Sequence, residues 1–201
     1  MDHSDDAKSA LRERIRSSRR ARTLADRELV GTALAGRVTE VSGYADACTV
    51  TAYASFGTEP QTNALLDRLI ADGKTVLLPI VHDDGSLGWV KYTGSDSLRF
   101  SERGIPEPVS DEIGQGASAI MTAEVDLMLI PALAVDLSGS RIGKGGGFYD
   151  RVLAALPSVR PFRVAVVHDE DVLAAGDVPA EEHDQPVHAA LTPSQVILLQ
   201  R

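Results

Sequence analysis

Apolar and basic positions recur with helical spacing near the start of the chain. Between residues 7 and about 20, Leu11 and Ile15 lie four positions apart, and so do Lys8 and Arg12. Side chains four residues apart share one face of a helix. The pattern therefore predicts a basic N-terminal helix, in which the two stacked cations repel each other unless an anion lies between them.

A second helix is predicted directly after the first. Thr23 suits its N-cap position, because a threonine oxygen there accepts a hydrogen bond from a backbone N–H of the first turn. The helix is expected to continue to Gly43. Its apolar positions are Leu24, Val30, Leu34 and Val38.

From residue 48 onward, short apolar runs alternate with helical runs. A helix is predicted at residues 60–71, with proline at its start and glycine after its end. Apolar strands that alternate with helices indicate an α/β fold with a mostly parallel sheet covered on both faces. Strands are predicted at residues 48–55, 75–81, 125–132, 163–167 and 195–199.

Two further segments carry weaker patterns. Residues 87–92 follow the turn Asp83-Asp84-Gly85 and are expected to form a hairpin beside the sheet. Residues 94–124 have the pattern of a long connection, and such a connection in a compact domain is either functional or a plain ordered loop.

Composition narrows the class of protein. The chain has 201 residues, of which 43% are hydrophobic and 24% are charged, so we expect one globular domain spanning residues 1–201. The longest mainly apolar stretch, at residues 125–135, is shorter than the roughly 20 residues of a membrane span, and the acidic start is unlike a signal peptide. Cys48 lies in an apolar run and is expected to be a buried free thiol in a cytoplasmic protein.

Charge is distributed unevenly. The net charge is −9, yet residues 8–22 contain seven basic residues and one acid. The acidic remainder argues against non-specific nucleic-acid binding, whereas the basic segment could meet a small anionic ligand or could be a solvated helix face.

The most informative stretch is Gly139-Ser-Arg-Ile-Gly-Lys-Gly-Gly-Gly-Phe-Tyr-Asp-Arg151, which precedes a helical run at residues 152–156. Four glycines in five positions allow consecutive backbone N–H groups to turn toward one concavity, and a helix N-terminus adds its dipole. Arg141 and Lys144 add positive charge for the same ligand. The stretch predicts a phosphate-binding loop in preference to a flexible surface loop.

This loop is neither of the two common nucleotide loops. A Walker loop needs four residues between its first glycine and Gly-Lys, whereas three separate Gly139 from Gly143, and Gly145 follows the lysine. A dinucleotide fingerprint that began at Gly143 would need glycine where Phe148 stands.

Acidic residues near the loop are candidate metal ligands. A bound triphosphate ordinarily carries magnesium, which one or two carboxylates hold together with water and phosphate oxygens. Asp150 ends the loop and Asp184 lies in a later short loop, although an aspartate in a turn or helix cap has the same pattern. Three of the five histidines, His82, His168 and His188, share no ligand spacing with cysteine, so we expect no zinc site.

Five stretches carry a resemblance when they are taken together. They are Lys8-x-x-Leu-Arg12, Glu59-x-x-Thr62, Gly104-Ile-Pro-Glu-Pro108, Arg141-Ile-Gly-Lys-Gly-Gly-Gly-Phe-Tyr-Asp-Arg151 and Glu182-His-Asp184. In order and spacing they resemble the 5-formyltetrahydrofolate cyclo-ligase family over nearly the whole chain, and the glycine loop that ends in Tyr-Asp is the specific element. The chain departs from the family pattern at Lys144, where relatives commonly carry an aromatic residue or arginine, at Phe148, where tyrosine is common, and in the proline after Glu59.

The resemblance implies a three-layer α/β/α fold and an enzyme that uses ATP and magnesium. The implied reaction converts 5-formyltetrahydrofolate to 5,10-methenyltetrahydrofolate and releases ADP and phosphate. Because a formamide oxygen is a poor leaving group, ATP would first phosphorylate it, after which folate N10 would attack the activated carbon and phosphate would leave. The implied partners are the folate and ATP, without nucleic acid or membrane, and a monomer is expected.

The same resemblance implies roles for individual residues. Arg141, Lys144 and Tyr149 are the expected catalytic residues, and Asp150 and Asp184 are the expected magnesium ligands. Glu59 is expected to accept hydrogen bonds from pterin N–H groups. The expected ATP-binding residues are Lys8, Arg12, Arg141, Ile142, Gly143, Lys144, Gly145, Gly146, Gly147, Phe148 and Tyr149, and the expected substrate-binding residues are Ala54, Phe56, Glu59, Trp89 and Tyr149. Phe56 and Trp89 either stack on the pterin or belong to the core.

Two other functions fit parts of the pattern. Phosphosugar isomerases and acyl-CoA transferases also use α/β domains with glycine loops, and they need no ATP. A folate-storing or RNA-binding module could use the basic helix, although the acidic remainder makes RNA the weaker choice.

Overall fold

The computed structural model describes residues 3–200, which form five α-helices and thirteen strands. The helices are α1 His3–Arg20, α2 Leu24–Arg37, α3 Asn63–Ala71, α4 Gly116–Thr122 and α5 Phe148–Ala154. The strands are β1 Thr49–Thr51, β2 Thr75–Val81, β3 Leu87–Lys91, β4 Leu98–Phe100, β5 Pro106–Pro108, β6 Glu112–Gln115, β7 Leu127–Pro131, β8 Ala134–Asp136, β9 Arg141–Ile142, β10 Phe162–Val166, β11 Val172–Leu173, β12 Ala189–Leu191 and β13 Val196–Leu198.

Eight strands form the central sheet, in the order β13-β12-β10-β7-β1-β2-β3-β6. The five strands from β12 to β2 are parallel, and antiparallel strands flank them on both sides. Val50 of β1 pairs with Val76 on one side and with Leu127 on the other. The prediction of a mostly parallel sheet is confirmed, and so is the antiparallel hairpin formed by β2 and β3.

Apolar side chains cover both faces of this sheet. Val76 and Leu78 point to the face that α2 and α3 cover, whereas Leu77 points to the face that α4 and α5 cover. Successive residues of a strand face opposite sides, so a strand buried on both faces needs apolar residues at every position. The three-layer α/β/α arrangement expected from the sequence is therefore confirmed.

Helix α1 lies against a smaller sheet of three strands, β11-β8-β9. Leu11 and Ile15, the predicted apolar stripe, pack against Leu133 and Ile142. The helix therefore buries its apolar face beside the glycine loop, which follows β9 directly. Within the described residues, no helix is long and apolar enough to cross a membrane.

The second predicted helix begins as expected and ends early. Thr23 accepts a hydrogen bond from the Asp26 backbone N–H, while the Asp26 carboxylate accepts one from the Thr23 N–H, which completes a capping box. The α-helix ends at Arg37, where a turn of 3-10 helix, Val38–Glu40, takes over. The predicted end at Gly43 was wrong, because tighter hydrogen bonds already close the last turn.

Two other predictions near β1 need correction. The strand covers only Thr49–Thr51 and not residues 48–55, and the following helix begins at Asn63. Cys48 is exposed, so the prediction of a buried thiol was wrong. It lies just before the strand, where the Asp126 carboxylate accepts a hydrogen bond from its backbone N–H at 2.8 Å.

Residues 94–124 are more ordered than a plain loop. They contain the β4–β5 hairpin, the edge strand β6 and helix α4. The strands are only three or four residues long and β5 is Pro-Glu-Pro, so their periodicity is too short to be detected in the sequence. Ile105 and Pro106 of the hairpin line the cavity of the candidate active site.

Candidate active site

A cavity of about 500 Å³ opens at the carboxyl ends of β1 and β7. Within the sheet, β1 has β2 as its neighbour in one direction and β7 as its neighbour in the other. The order of the strands therefore reverses at β1. Ligands of open α/β sheets bind at such a reversal of strand order. Tyr53 and Ala54 follow β1 at this point, and Ala132 and Leu133 follow β7.

Nearly every residue that the sequence singled out lines this cavity. Those that do so are Lys8, Arg12, Ala54, Phe56, Glu59, Arg141, Ile142, Gly143, Lys144, Gly145, Gly146, Gly147, Phe148, Tyr149, Asp150 and Asp184. The exception is Trp89, which is fully buried and donates a hydrogen bond from its indole N–H to the Gly116 carbonyl. Its ring packs edge-on to Tyr149, with centroids 6.4 Å apart, so it supports the cavity wall from the core.

The basic helix presents an inward-facing row of cations. Lys8 and Arg19 are buried, and Arg12 and Arg16 between them are half-buried, whereas Arg14 is exposed. Lys8, Arg12, Arg16 and Arg19 follow one another at spacings of four, four and three residues, which place all four on one helix face. The alternative of a solvated basic face is therefore wrong for this row.

Two arginines of that row hold the glycine loop. Arg12 Nε donates to the Gly143 carbonyl at 3.1 Å, and Arg16 donates to the Lys144 carbonyl at 3.2 Å. Gly145 and Gly147 have φ values of 107° and 64°, which favour glycine. A side chain at Gly146 would lie 2.6 Å from the Phe148 ring. The loop is thus fixed by its own glycines and by α1.

Lys8 and Arg141 form the cationic end of the cavity. Lys8 Nζ lies 2.6 Å from Asp184 Oδ2 and 3.0 Å from Glu181 Oε1. Burial alone lowers the pKa of Lys8, but these two carboxylates outweigh it and raise the pKa above its ordinary value. Burial lowers the pKa of Arg141, and the charge of Asp150 opposes that shift. An arginine stays protonated in proteins, so both residues are cationic at neutral pH.

Asp150 and Asp184 each give one carboxylate oxygen to a cation. Arg141 Nη2 lies 2.6 Å from Asp150 Oδ1, which also accepts the Gln185 N–H. Asp150 Oδ2 and Asp184 Oδ1 accept no hydrogen bond within the described part of the chain. Two such oxygens beside a phosphate-type loop suit a hard divalent cation. In residues 3–200 no three His, Cys, Asp or Glu side chains are grouped to hold a metal, so further ligands would be phosphate and water.

A buried carboxylate, Glu59, also lines the cavity. Glu59 is 8% exposed, and its Oε2 accepts the Phe56 backbone N–H at 3.0 Å. Its Oε1 lies 2.7 Å from Lys144 Nζ, which also lies 3.4 Å from the centroid of the Phe56 ring. The glycine loop therefore contacts Glu59 directly, through the side chain of Lys144.

Two tyrosine hydroxyls lie beside Glu59. Burial raises the pKa of Tyr149, and the Glu59 charge raises it further while Arg141 opposes the shift. Burial likewise raises the pKa of Tyr53, and Glu59 adds to the effect. Both hydroxyls are buried and have no hydrogen-bond partner in residues 3–200. Buried hydroxyls are normally paired, so these two neutral donors are available to a ligand.

Two residues of the site, Tyr53 and Arg19, were not predicted from the sequence. Tyr53 follows the strand β1 at its carboxyl end, which was the available indication. Arg19 is fully buried, where it pairs with Asp171 at 2.8 Å and donates to the carbonyls of Ala132 and Leu133. It therefore fixes the segment that forms the cavity wall after β7. Arg19 lay within the predicted helix, but finding it required the row of cations to be continued from Lys8 and Arg12 to Arg16 and Arg19.

Similar proteins share both sequence and fold. The 5-formyltetrahydrofolate cyclo-ligase of Mycolicibacterium smegmatis is 39% identical over 205 residues, which cover 97% of this chain and 98% of the relative. The enzyme of the same name from Escherichia coli K12 is 33% identical over 184 residues, which cover 90% and 98%. The NMR structure of Aquifex aeolicus 5,10-methenyltetrahydrofolate synthetase has the same fold, with a TM-score of 0.77 at 24% identity over 96% of this chain and 93% of that one.

The family model matches over the same extent as these relatives. It covers residues 4–193, and therefore includes both α1, with its row of cations, and the loop that contains Asp184. The chain belongs to the 5-formyltetrahydrofolate cyclo-ligase family.

Proposed function

We propose that the chain catalyses the ATP- and magnesium-dependent cyclisation of 5-formyltetrahydrofolate to 5,10-methenyltetrahydrofolate, with release of ADP and phosphate. One observation carries the proposal: a single cavity is lined by both a cationic glycine loop and the buried acid Glu59. A triphosphate suits the loop and a pterin suits the acid. The reaction requires the γ-phosphoryl group of ATP and the formyl group of the folate to be in contact.

The cationic end is suited to phosphoryl transfer, in which catalysis consists mainly of positioning and charge neutralisation. Lys8 and Arg12 on α1 would hold the ATP phosphates. Arg141, Lys144 and the loop amides would surround the γ-phosphoryl group as the formyl oxygen attacks its phosphorus and ADP departs. Four cations that line the cavity, Lys8, Arg12, Arg141 and Lys144, support this arrangement.

Asp150 and Asp184 would hold magnesium through Asp150 Oδ2 and Asp184 Oδ1, which accept no hydrogen bond from the described residues, although His183 Nε2 lies 3.7 Å from Asp184 Oδ1. When bound, magnesium neutralises phosphate charge and orients the phosphate oxygens. The present partners of the two aspartates, Arg141 and Lys8, are themselves proposed phosphate ligands. The same cluster could therefore hold the metal and the phosphates together.

Glu59 would accept hydrogen bonds from the pterin amino and ring N–H groups, as a carboxylate does with a matched donor pair. The Tyr149 ring lies between Trp89 and the cavity, and its hydroxyl would face the reacting formyl group. Folate N10 then attacks the activated carbon, loses its proton, and expels phosphate to form the methenyl bridge. Ala54 and Phe56 would form the neighbouring wall.

Nucleotide dependence separates this function from the enzymatic alternatives. Phosphosugar isomerases and acyl-CoA transferases need no ATP, whereas the proposed reaction has no leaving group without it. RNA binding is not favoured, because Lys8, Arg12 and Arg16 of α1 already contact the Asp184 loop and the glycine loop.

The decisive test is absorbance at the methenyl-folate band. Purified protein is mixed with 5-formyltetrahydrofolate and magnesium, with and without ATP, and ADP is measured in parallel. Growth of the band only with ATP, with one ADP for each methenyl product, is expected. Folded protein that binds ATP but produces no band would contradict the proposed reaction.

We also propose that residues 1–201 act as one domain and as a monomer in the cytoplasm. The cavity is built from one chain, with α1 closing it against loops near residues 143 and 184. Light scattering of the active protein should give the mass of one chain. Activity confined to a larger species would contradict the monomer.

A further inference from the structure

The side chain of Lys144 contacts two residues from outside the glycine loop. Its Nζ lies 2.7 Å from Glu59 Oε1 and 3.4 Å from the centroid of the Phe56 ring. In this structure Lys144 therefore neutralises Glu59, the acid that we propose binds the pterin. Its side chain is 40% exposed, so it lies at the surface of the cavity and can move.

Glu59 cannot pair with Lys144 and bind a pterin through the same carboxylate oxygen. Its side chain is 6% exposed, one oxygen accepts a backbone N–H, and Lys144 covers the other. A pterin N–H pair needs the oxygen that Lys144 covers. A buried carboxylate is costly without a partner, so the lysine and the pterin are alternative partners for one group.

The backbone of Lys144 stays in place while its side chain can exchange partners. Arg16 donates to the Lys144 carbonyl, and Arg12 donates to the preceding Gly143 carbonyl. The flexible four-carbon stem of lysine carries a single charge. A triphosphate on the loop would present several negative charges close to the base of this stem. One ammonium group cannot fully neutralise both the phosphates and the buried Glu59.

We propose that Lys144 couples the two substrates: it pairs with Glu59 when no nucleotide is bound, and ATP draws it to the phosphates and so frees Glu59 for the pterin. The inference rests on the proposed function, since it takes ATP and the folate as the two ligands. Coupling between binding sites is reciprocal. ATP should therefore tighten folate binding, and the folate should tighten ATP binding by the same factor.

The test is calorimetric titration of 5-formyltetrahydrofolate, with magnesium present, into protein with and without a non-hydrolysable ATP analogue. The wild-type protein should bind the folate on the order of tenfold more tightly when the analogue is saturating. In Lys144→Met the affinity without analogue should rise toward the wild-type value with analogue. Its coupling should fall to about onefold, at analogue concentrations that saturate the variant.

Arg16→Met is the matched control. It removes a cation that contacts the same loop but does not reach Glu59, so the tenfold coupling should persist. Equal folate affinity of the wild-type protein with and without analogue would overturn the inference and leave the proposed function standing. Full coupling in Lys144→Met would do the same. Absence of folate binding under both conditions would overturn the proposed function and the inference together.

Discussion

At the scale of single residues, the cavity is organised by carboxylates that are each paired with one cation. Asp150 is held by Arg141 and by the Gln185 N–H, and Asp184 is held by Lys8. Each aspartate keeps one oxygen that accepts no hydrogen bond from the described residues, and His183 Nε2 lies 3.7 Å from Asp184 Oδ1 as a charge partner. The proposed metal role depends on these oxygens and not on the ion pairs alone.

Asp150→Asn is expected to leave the protein folded and nearly inactive. The amide keeps the shape and one acceptor for Arg141, but it removes the negative charge that would attract magnesium. Turnover at saturating ATP and magnesium, together with thermal unfolding, provides the measurement. Asp46→Asn, an exposed change before the amino end of β1, is the control and should retain activity. Full magnesium-dependent turnover in Asp150→Asn would contradict the metal role.

Lys8→Ala is expected to raise the KM for ATP on the order of tenfold, the effect of losing one hydrogen bond to a charged group. Arg14→Ala removes an exposed cation from the opposite face of the same helix and should leave that KM unchanged. Steady-state kinetics with varied ATP make the comparison. Equal values for both variants would show that the inward position of Lys8 has no part in nucleotide binding.

The residues of the glycine loop could be predicted because the glycines, the flanking cations and the terminal Tyr-Asp are all local in sequence. Tyr53 and the Lys144–Glu59 pair could not. Glu59 and Lys144 are brought together by the sheet topology, and no local pattern specifies that contact. Trp89 was expected to bind the substrate or to belong to the core, and the structure places it in the core, where it packs against Tyr149.

At the scale of elements, boundaries follow from hydrogen bonds at the helix ends. The capping box of α2 joins Thr23 and Asp26 through two reciprocal bonds. Thr23→Ala is expected to lower the free energy of unfolding by about 1 kcal/mol, the usual cost of losing an N-cap, without changing turnover. Denaturant unfolding measures the first quantity. An unchanged midpoint would mean that the turn before α2 contributes nothing to stability.

The long buried strands were predicted well because most positions in β2, β7 and β10 are constrained by a packed face. The short strands β4 to β6 were not, and neither was helix α4. Edge and hairpin strands of three or four residues form few hydrogen bonds with their neighbours, so polar residues and proline are tolerated there. Their positions depend on the neighbouring strand more than on their own sequence.

At the scale of the whole molecule, stability is coupled to pH through a buried histidine. His168 is 1% exposed, and neither ring nitrogen has a hydrogen-bond partner in the described residues. Burial lowers its pKa to about 4, and Arg19 and Arg22 add to that shift while Glu170 and Asp169 oppose it. The folded protein thus holds this ring neutral where an unfolded chain would protonate it.

Below the ordinary histidine pKa of 6.5, the unfolded chain binds a proton at this position that the folded protein does not. Stability therefore falls as the pH decreases from about 6.5 to 4, by about 3 kcal/mol from this residue. His168→Gln cannot titrate and should show a flatter pH profile over that interval. Unfolding free energies measured at both ends of the range provide the comparison, and parallel profiles would contradict the assignment.

The contact between Lys8 and Asp184 joins residues 176 positions apart, so it constrains when the cavity can form during synthesis. Helix α1 leaves the ribosome long before the loop around Asp184. Until that loop emerges, Lys8 lacks the carboxylates of Glu181 and Asp184, and the cavity lacks one of its walls. Nascent chains should therefore acquire nucleotide binding abruptly once the Asp184 loop has emerged, and not gradually as the sheet grows.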